Sequence, residues 1–169
     1  MYLELICIFV IVSIYQNILL ARKNSQKLLA VLIDPEKIKI STVQNFIKLV
    51  NQSIATHIFV GGSKETTVEK VSHTKPISQL DSELILKTAL ASEFSGKKVI
   101  YLEAGSGATV PVESNIITLT KSNLTIPLII GGGIKNISQI NDAYDAGADM
   151  VVIGTAFEKN PSFFNELKK

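Results

Sequence analysis

The chain has few of the residues that build several common kinds of site. Cys7 is the single cysteine among 169 residues, which excludes an internal disulfide and a cysteine metal cage. Two histidines, His57 and His73, are too few for a histidine-rich site. The net charge of +2 is too small to argue for binding to nucleic acid or to an anionic membrane surface. The composition, with 46% hydrophobic and 19% charged residues, is typical of an α/β protein with a buried sheet.

The sequence also lacks an apolar run long enough to cross a membrane. Residues 5–14 (LICIFVIVSI) are uncharged, but a spanning helix needs about 20 apolar residues. They show neither the basic start nor the small-residue cleavage site of a secretory signal. We therefore treat residues 1–13 as an apolar extension, for which a weak anchor and a buried helix are both consistent. We predict that residues 14–169 form a single cytoplasmic domain.

Two apolar runs that end in glycine dominate the second half of the chain. Residues 126–134 (IPLIIGGGI) and 150–156 (MVVIGTA) favour buried parallel strands, because neither run alternates with polar residues. A helical stretch over residues 138–146 separates them. This arrangement is typical of the last two units of a (β/α)8 barrel, whose loops commonly form a phosphate site. The alternative is that the glycines only turn the chain.

Three more strands are predicted, at residues 28–33, 57–60 and 98–102. Five strands are too few for a closed barrel, which usually needs about 250 residues. The predicted fold is α/β, an incomplete (β/α)8 TIM-barrel type with about five parallel strands and outer helices. An amphipathic helix is expected at residues 14–27, where it would cover the bottom of the barrel. The other helices are expected to begin at a cap on Ser41 and to lie at 81–94, 116–124, 138–146 and 162–167.

Polar or glycine residues follow every predicted strand, and the carboxyl ends of parallel strands share one edge. Asp34 could bind a Mg²⁺ ion that carries a substrate diphosphate, or it could instead cap a turn. Ser63 could offer its hydroxyl to the same ion, or cap the next segment. Glu103 ends a buried strand, where desolvation would raise its pKa and suit it to take a proton from an alcohol. A salt-bridge partner is the other interpretation of Glu103.

Six segments, in order, resemble the geranylgeranylglyceryl phosphate synthase family and its heptaprenylglyceryl relatives. The resemblance covers roughly residues 14–159, and YLEAGSGA is its most specific block. It implies a (β/α)8 barrel that uses Mg²⁺ and joins a prenyl diphosphate to the 3-hydroxyl of sn-glycerol 1-phosphate. The segments are LLAVLIDPEK, IFVGGS, VSHTKPI, KKVIYLEAGSGA, IPLIIGGGI and MVVIGTA.

The resemblance also implies a role for individual residues. Asp34 and Ser63 would bind the metal, and Glu103 would be catalytic as the general base. The lipid substrate implies peripheral contact with a membrane. The contacts to sn-glycerol 1-phosphate would fall on Tyr101, Leu102, Glu103, Ala104, Gly105, Ser106, Gly107, Gly131, Gly132, Gly133, Gly154 and Thr155.

The chain departs from the family by an internal deletion. Three strand–helix units that the family has after its IFVGGS segment are missing, with a predicted junction near residues 63–64. The remaining strands would stay neighbours, as an open sheet with the first strand beside both the second and the fifth. Its inner apolar face and two unpaired edges would then be exposed, so we expect a homo-oligomer, aggregation or reclosure into a smaller barrel.

Three functions remain open. The first is prenyl transfer from geranylgeranyl diphosphate to sn-glycerol 1-phosphate, weakened by the missing strands, with a heptaprenyl donor as its variant. The second is an inactive barrel fragment that binds glycerol phosphate or only self-associates. The third is another phosphate-site barrel enzyme, such as an isomerase of amino-acid biosynthesis. The segment 34–37 (DPEK) and residues 101–107 favour the first function over the third.

Overall fold

The computed structural model describes residues 14–35, 37–61 and 75–168. Five strands in this part of the chain form one parallel sheet of order β2-β1-β5-β4-β3, which confirms the predicted fold class and strand order. Residues 1–13, Ser63 and the predicted junction lie outside the described residues. The strands are β1 (Leu28–Ile33), β2 (His57–Val60), β3 (Ile100–Glu103), β4 (Leu128–Gly131) and β5 (Met150–Ile153).

The helices alternate with the strands, as in βα units. They are α1 (described over residues 14–23), α2 (Ile40–Gln52), α3 (Ser82–Phe94), α4 (Ser114–Asn123), α5 (Ile137–Asp145) and α6 (Thr155–Lys159), followed by a 3-10 helix (Pro161–Asn165). In the described part of the chain, no helix is long and apolar enough to cross a bilayer.

Side-chain caps set where two of the helices begin. The carboxylate of Asp81 accepts a hydrogen bond from the Leu84 amide at the start of α3. At the start of α5, the side-chain oxygen of Asn136 accepts a hydrogen bond from the Gln139 amide. The predicted cap at Ser41 is wrong, because α2 already starts at Ile40 and its capping position is Lys39, whose side chain makes no capping bond.

The outer face of the sheet is closed by helices. Alternate residues of the central strands, such as Val31 and Val151, point into a core that also takes residues from α2, α4 and α5. The C-terminal segment completes this core with aromatic rings, where Phe157 stacks on Phe164 with ring centroids 4.1 Å apart. This packing is what a parallel sheet with right-handed crossovers requires of its outer layer.

The inner face is covered by α1 over its amino-terminal half. Ile18 and Ala21 of α1 are buried there against a cluster on the central strands that includes Ala30 and Met150. The prediction that the whole inner face would be exposed is therefore wrong for this half. In a closed barrel, inward-pointing side chains of the other strands would occupy the position that α1 takes here. On the carboxyl half of the inner face, by contrast, Tyr101 is exposed.

The two outer strands have unpaired edges, as predicted. Within residues 14–35, 37–61 and 75–168, β2 pairs only with β1, and β3 pairs only with β4. Ile58 and Val60 of β2 are exposed, Val60 to 71%. Exposed apolar groups on an unpaired strand favour association with other chains.

A buried aspartate ties the amino-terminal end of the sheet together. Asp149 Oδ2 lies 2.5 Å from Lys121 Nζ of α4 and accepts a hydrogen bond from the Leu128 amide at 2.8 Å. The guanidinium of Arg22 on α1 lies 3.7 Å from Asp149 Oδ1. One carboxylate thus connects two helices and the start of β4.

We predict that Asp149→Ala lowers the free energy of unfolding by about 2–4 kcal/mol, since it leaves a half-buried lysine and a buried amide without their partner. Urea unfolding followed by circular dichroism measures this change. Glu83→Ala is the control, because it breaks an ion pair with Lys87 that is exposed on both sides and, even with the loss of a charge in the first turn of α3, should lower the free energy of unfolding far less than Asp149→Ala does. Equal effects of the two substitutions would contradict the assigned role of Asp149.

A second prediction tests whether α1 protects the inner face of the sheet. Ile18→Glu places a charge against the inner face, so it should detach α1, increase binding of a hydrophobic dye and promote self-association on size-exclusion chromatography. Leu20→Glu is the matched control, because Leu20 lies on the same helix and is 57% exposed. If both variants behave alike, α1 does not protect this face.

Candidate anion-binding site

The predicted site residues lie at one edge of the sheet. All strand pairs are parallel, so every strand ends on the same side of the molecule. Asp34 follows β1, residues 103–107 end β3, residues 131–133 end β4 and residues 154–155 follow β5. Glu103 and Gly131 are register partners across the β3–β4 pair. Four of the five predicted strand exits therefore meet at this edge, while Ser63 lies outside the described residues.

Tyr101 and Glu103 form the polar centre of the site on the open part of the inner face. The Tyr101 hydroxyl and the Glu103 carboxylate lie together against Gly131. Partial desolvation raises the pKa of Tyr101, and the interaction of its hydroxyl with the charged Glu103 carboxylate raises it further, so the hydroxyl keeps its proton. Glu103 Oε1 also accepts a hydrogen bond from the Gly105 amide at 3.2 Å.

The predicted burial of Glu103 is wrong. Its residue is exposed, although it ends a strand whose first residue, Ile100, is buried. The reason is that Glu103 faces the open inner side, whereas Ile100 faces the helix layer. The carboxylate is thus accessible to a ligand.

Glycine is required after β4 because two loops come into contact there. A Cβ atom on Gly131 would lie 2.3 Å from the Tyr101 hydroxyl. On Gly132, whose φ is +79°, it would lie 2.6 Å from Glu103 Oε1 and 2.7 Å from the Gly105 amide nitrogen. Such distances exclude any side chain without movement of the β3 loop. These glycines therefore both turn the chain and bring the β4 loop against the Tyr101–Glu103 pair.

Several predicted contact residues offer only their backbone to the site. The Leu102 side chain packs against the outer core. The Ala104 amide donates to the Gly131 carbonyl oxygen at 3.0 Å, which extends the pairing of the two loops. Gly154 precedes α6, and its carbonyl oxygen accepts from the Phe157 amide. Their contribution is to shape the edge rather than to supply functional groups.

A second polar cluster surrounds Asp34, which is buried. Lys37 Nζ lies 3.1 Å from Asp34 Oδ2, 3.7 Å from Glu158 Oε2 and 3.4 Å from Ser106 Oγ. Burial alone would lower the pKa of Lys37, but the hydrogen bond to Asp34 and the charges of Glu158 and Asp34 raise it above its usual value. The Lys37 ammonium therefore contacts the segments that follow β1, β3 and β5.

Sequence reasoning missed Lys37 and Glu158. The spacing of Asp34 and Lys37 is a local signal that could have indicated the first pair, since residues three apart in a turn lie close together. Glu158 has no such signal, because it meets Lys37 only through the pairing of β1 with β5.

The donor set around Asp34 fits a hard cation. Two carboxylates already converge on one positive group, the Lys37 ammonium. Among the residues that the structure describes, no three acidic, histidine or cysteine side chains form a metal cage. Mg²⁺ is commonly held by one or two carboxylates, with substrate phosphates and water completing its shell, so these residues suit that mode.

The fold defines a protein of the (β/α)-barrel class, with a candidate phosphate site at the carboxyl edge of its sheet. The parallel sheet has barrel connectivity, and its glycine turns and polar groups lie at the carboxyl ends of the strands. The family model of the PcrB family matches residues 66–169, more than half of the chain. The chain belongs to the PcrB family.

Two relatives carry the same name, geranylgeranylglyceryl phosphate synthase. That of Flavobacterium johnsoniae is 34% identical over 238 residues and aligns with 92% of this chain and 98% of the relative. That of Zunongwangia profunda is 46% identical over 129 residues, which are 74% of this chain and 55% of the relative. The second match thus spans about half of the relative's length.

The first alignment also measures the missing segment. It runs over 238 residues, whereas 92% of 169 residues is about 155, so about 80 positions have no counterpart here. Three βα units of a barrel amount to roughly this length. Relative to the Flavobacterium protein, the chain therefore lacks about 80 positions in total within the aligned region.

A solved structure shows the same fold. It is (S)-3-O-geranylgeranylglyceryl phosphate synthase from Thermoplasma acidophilum in complex with sn-glycerol-1-phosphate. The TM-score is 0.83 at 20% identity, with 90% of this chain and 94% of that chain covered. At this identity, the likeness establishes the architecture.

The contact between the β3 and β4 loops can be tested by Gly132→Ala. The added Cβ should displace Glu103 and the Gly105 amide, so hydrogen exchange at Gly105 should become faster. Backbone strain should also lower the free energy of unfolding by about 1–2 kcal/mol. Gly96→Ala is the control, since Gly96 has a φ of +90° but no atom within 4 Å of its Cβ position. Gly105 exchange that is unchanged in Gly132→Ala would rule out the loop contact.

Proposed function

We propose that the chain binds sn-glycerol 1-phosphate at the carboxyl edge of the sheet, as an enzyme of the geranylgeranylglyceryl phosphate synthase type. The observation that carries this proposal is the Tyr101–Glu103 pair held against the glycine turn at residues 131–132. A polyol phosphate needs hydrogen-bond acceptors for its hydroxyls and backbone amides for its anion. The names of the relatives and the ligand in the Thermoplasma structure agree with this choice.

The roles of the two side chains follow from their chemistry. The exposed Glu103 carboxylate accepts hydrogen bonds from the glycerol hydroxyls. Tyr101 stays protonated and donates to Glu103, which fixes the orientation of the carboxylate. The glycine turns after β4 and β5 leave room for a phosphate to approach the main chain, as in other barrels of this class.

In the proposed transfer, Glu103 takes the proton of the 3-hydroxyl as the oxygen attacks the allylic carbon of the prenyl diphosphate. The new carbon–oxygen bond is an ether bond. The bond from that carbon to the diphosphate breaks, and the diphosphate leaves with the electron pair. Mg²⁺ held at Asp34 would neutralise charge on this leaving group.

The missing segment divides the proposed function into two parts. The glycerol phosphate part uses the loops after β3, β4 and β5, which the structure describes. The prenyl part depends in the family on walls of the barrel that belong to the absent units. We therefore propose that glycerol phosphate binding is retained and that transfer is slow. A geranylgeranyl donor is the first choice and a heptaprenyl donor the second.

Calorimetry with sn-glycerol 1-phosphate tests the binding part. We expect Glu103→Gln to weaken binding about tenfold or more, because a charge-assisted hydrogen bond is lost. Glu166→Gln is the control, because Glu166 is an exposed carboxylate after the 3-10 helix. Absence of heat with the unaltered chain would refute the binding proposal.

A transfer assay with radiolabelled prenyl diphosphates tests the other part. We expect product to form slowly, with saturable glycerol phosphate binding in the same preparation. Fast turnover would show that the absent units are dispensable. Binding without any product would favour the second function, a fragment that binds glycerol phosphate only.

A further inference from the structure

Lys37 lies where three loops of the site meet. Its ammonium contacts the buried carboxylate of Asp34, the hydroxyl of Ser106 and the carboxylate of Glu158. These partners follow β1, β3 and β5, so one side chain reaches across the carboxyl edge of the sheet. The Asp34 carboxylate is buried, and the Lys37 ammonium compensates charge on it.

A divalent cation and the Lys37 ammonium cannot share Asp34 without repulsion. Lys37 Nζ is already 3.1 Å from Asp34 Oδ2, which is the range of direct ion pairing. A Mg²⁺ ion bound to the same carboxylate would lie within a few ångströms of that ammonium. Metal binding therefore requires Lys37 to find another partner.

The side chain can move while the turn stays in place. The amides of Lys37 and Ile38 both donate to the Asp34 carbonyl oxygen at 3.1 Å, so the main chain of this turn is fixed. The Lys37 side chain is 37% exposed, and its flexible stem allows the ammonium to swing by several ångströms. The oxygens of a diphosphate bound beside Asp34 would be the new partner.

Resting on the proposed function, we propose that Lys37 is a positioning residue that competes with Mg²⁺ for Asp34 until a diphosphate takes over its ammonium. Metal and diphosphate then bind cooperatively, since each removes the obstacle to the other. Without substrate, Lys37 neutralises Asp34 and holds the three loops together. With substrate, it adds a positive charge beside the leaving group.

The test uses Mn²⁺ as a paramagnetic probe in place of Mg²⁺ and inorganic pyrophosphate as the diphosphate. Free and bound Mn²⁺ are measured by electron paramagnetic resonance, with and without saturating pyrophosphate. For the unaltered chain we expect weak Mn²⁺ binding that pyrophosphate strengthens about tenfold or more.

Lys37→Met removes the charge but keeps most of the length of the side chain. We expect Mn²⁺ alone to bind about tenfold more tightly and the strengthening by pyrophosphate to disappear. Lys37→Arg should restore the coupling in part. The control is Lys39→Met, since Lys39 is an exposed lysine two positions further on and should leave both affinities unchanged. If Lys37→Met does not fold, Lys37→Gln keeps a donor to Asp34 and removes only the charge.

Unchanged Mn²⁺ affinity and unchanged coupling in a folded Lys37→Met variant would overturn the proposal and leave Lys37 as a structural tie. Failure of the unaltered chain to bind Mn²⁺ and pyrophosphate would also overturn it. Neither result depends on glycerol phosphate, whose binding is measured separately by calorimetry, so the two proposals can fail independently.

Discussion

Parallel pairing of the strands is the constraint on which the rest of the molecule depends. Five short strands hydrogen-bond in one direction, so every loop that follows a strand must emerge at the same edge. This brings Glu103 beside Gly131 and Asp34 within reach of Glu158, although these residues are far apart in sequence. The polar groups of the site are neighbours because all five strands run in the same direction. They come from several segments of the chain, and no single segment could have brought them together.

Apolar packing and accessible polar side chains occupy different halves of the inner face of the sheet. Its amino-terminal half is packed against α1, which buries Ile18 and Ala21 on the central strands. Its carboxyl half stays open, where Tyr101 and Glu103 are accessible. The chain thus closes the part of the face that needs apolar contact and leaves free the part on which a ligand can bind.

The two buried aspartates at the ends of the sheet have different environments. Asp149 is held by Lys121 and by the Leu128 amide, with little of either charged side chain exposed, which is the pattern of a structural tie. Asp34 is paired with Lys37, whose side chain is more exposed and which also contacts Ser106 and Glu158. A paired carboxylate with an accessible partner on a long, flexible side chain is suited to exchanging that partner for a ligand.

The sequence alone determined the strands, because buried parallel strands are continuous apolar runs bounded by turn residues. β1 and β2 were predicted with the bounds that the structure has, β5 was predicted to run three residues longer, and the order of the sheet follows from the connectivity of barrel units. The motifs of the resemblance likewise indicated the family to which the chain belongs. Local patterns were sufficient for these conclusions, since each depends on residues close together in the chain.

Only the tertiary structure decided the surroundings of those elements. That α1 covers half of the inner face, that Glu103 is exposed and that Lys37 joins three loops depend on distances between segments far apart in sequence. Burial and ion pairing are properties of such distances, and the periodicity of one segment carries no information about what packs against it. The sequence therefore specified which groups lie at the edge of the sheet, and the packing of the sheet specified which of them meet.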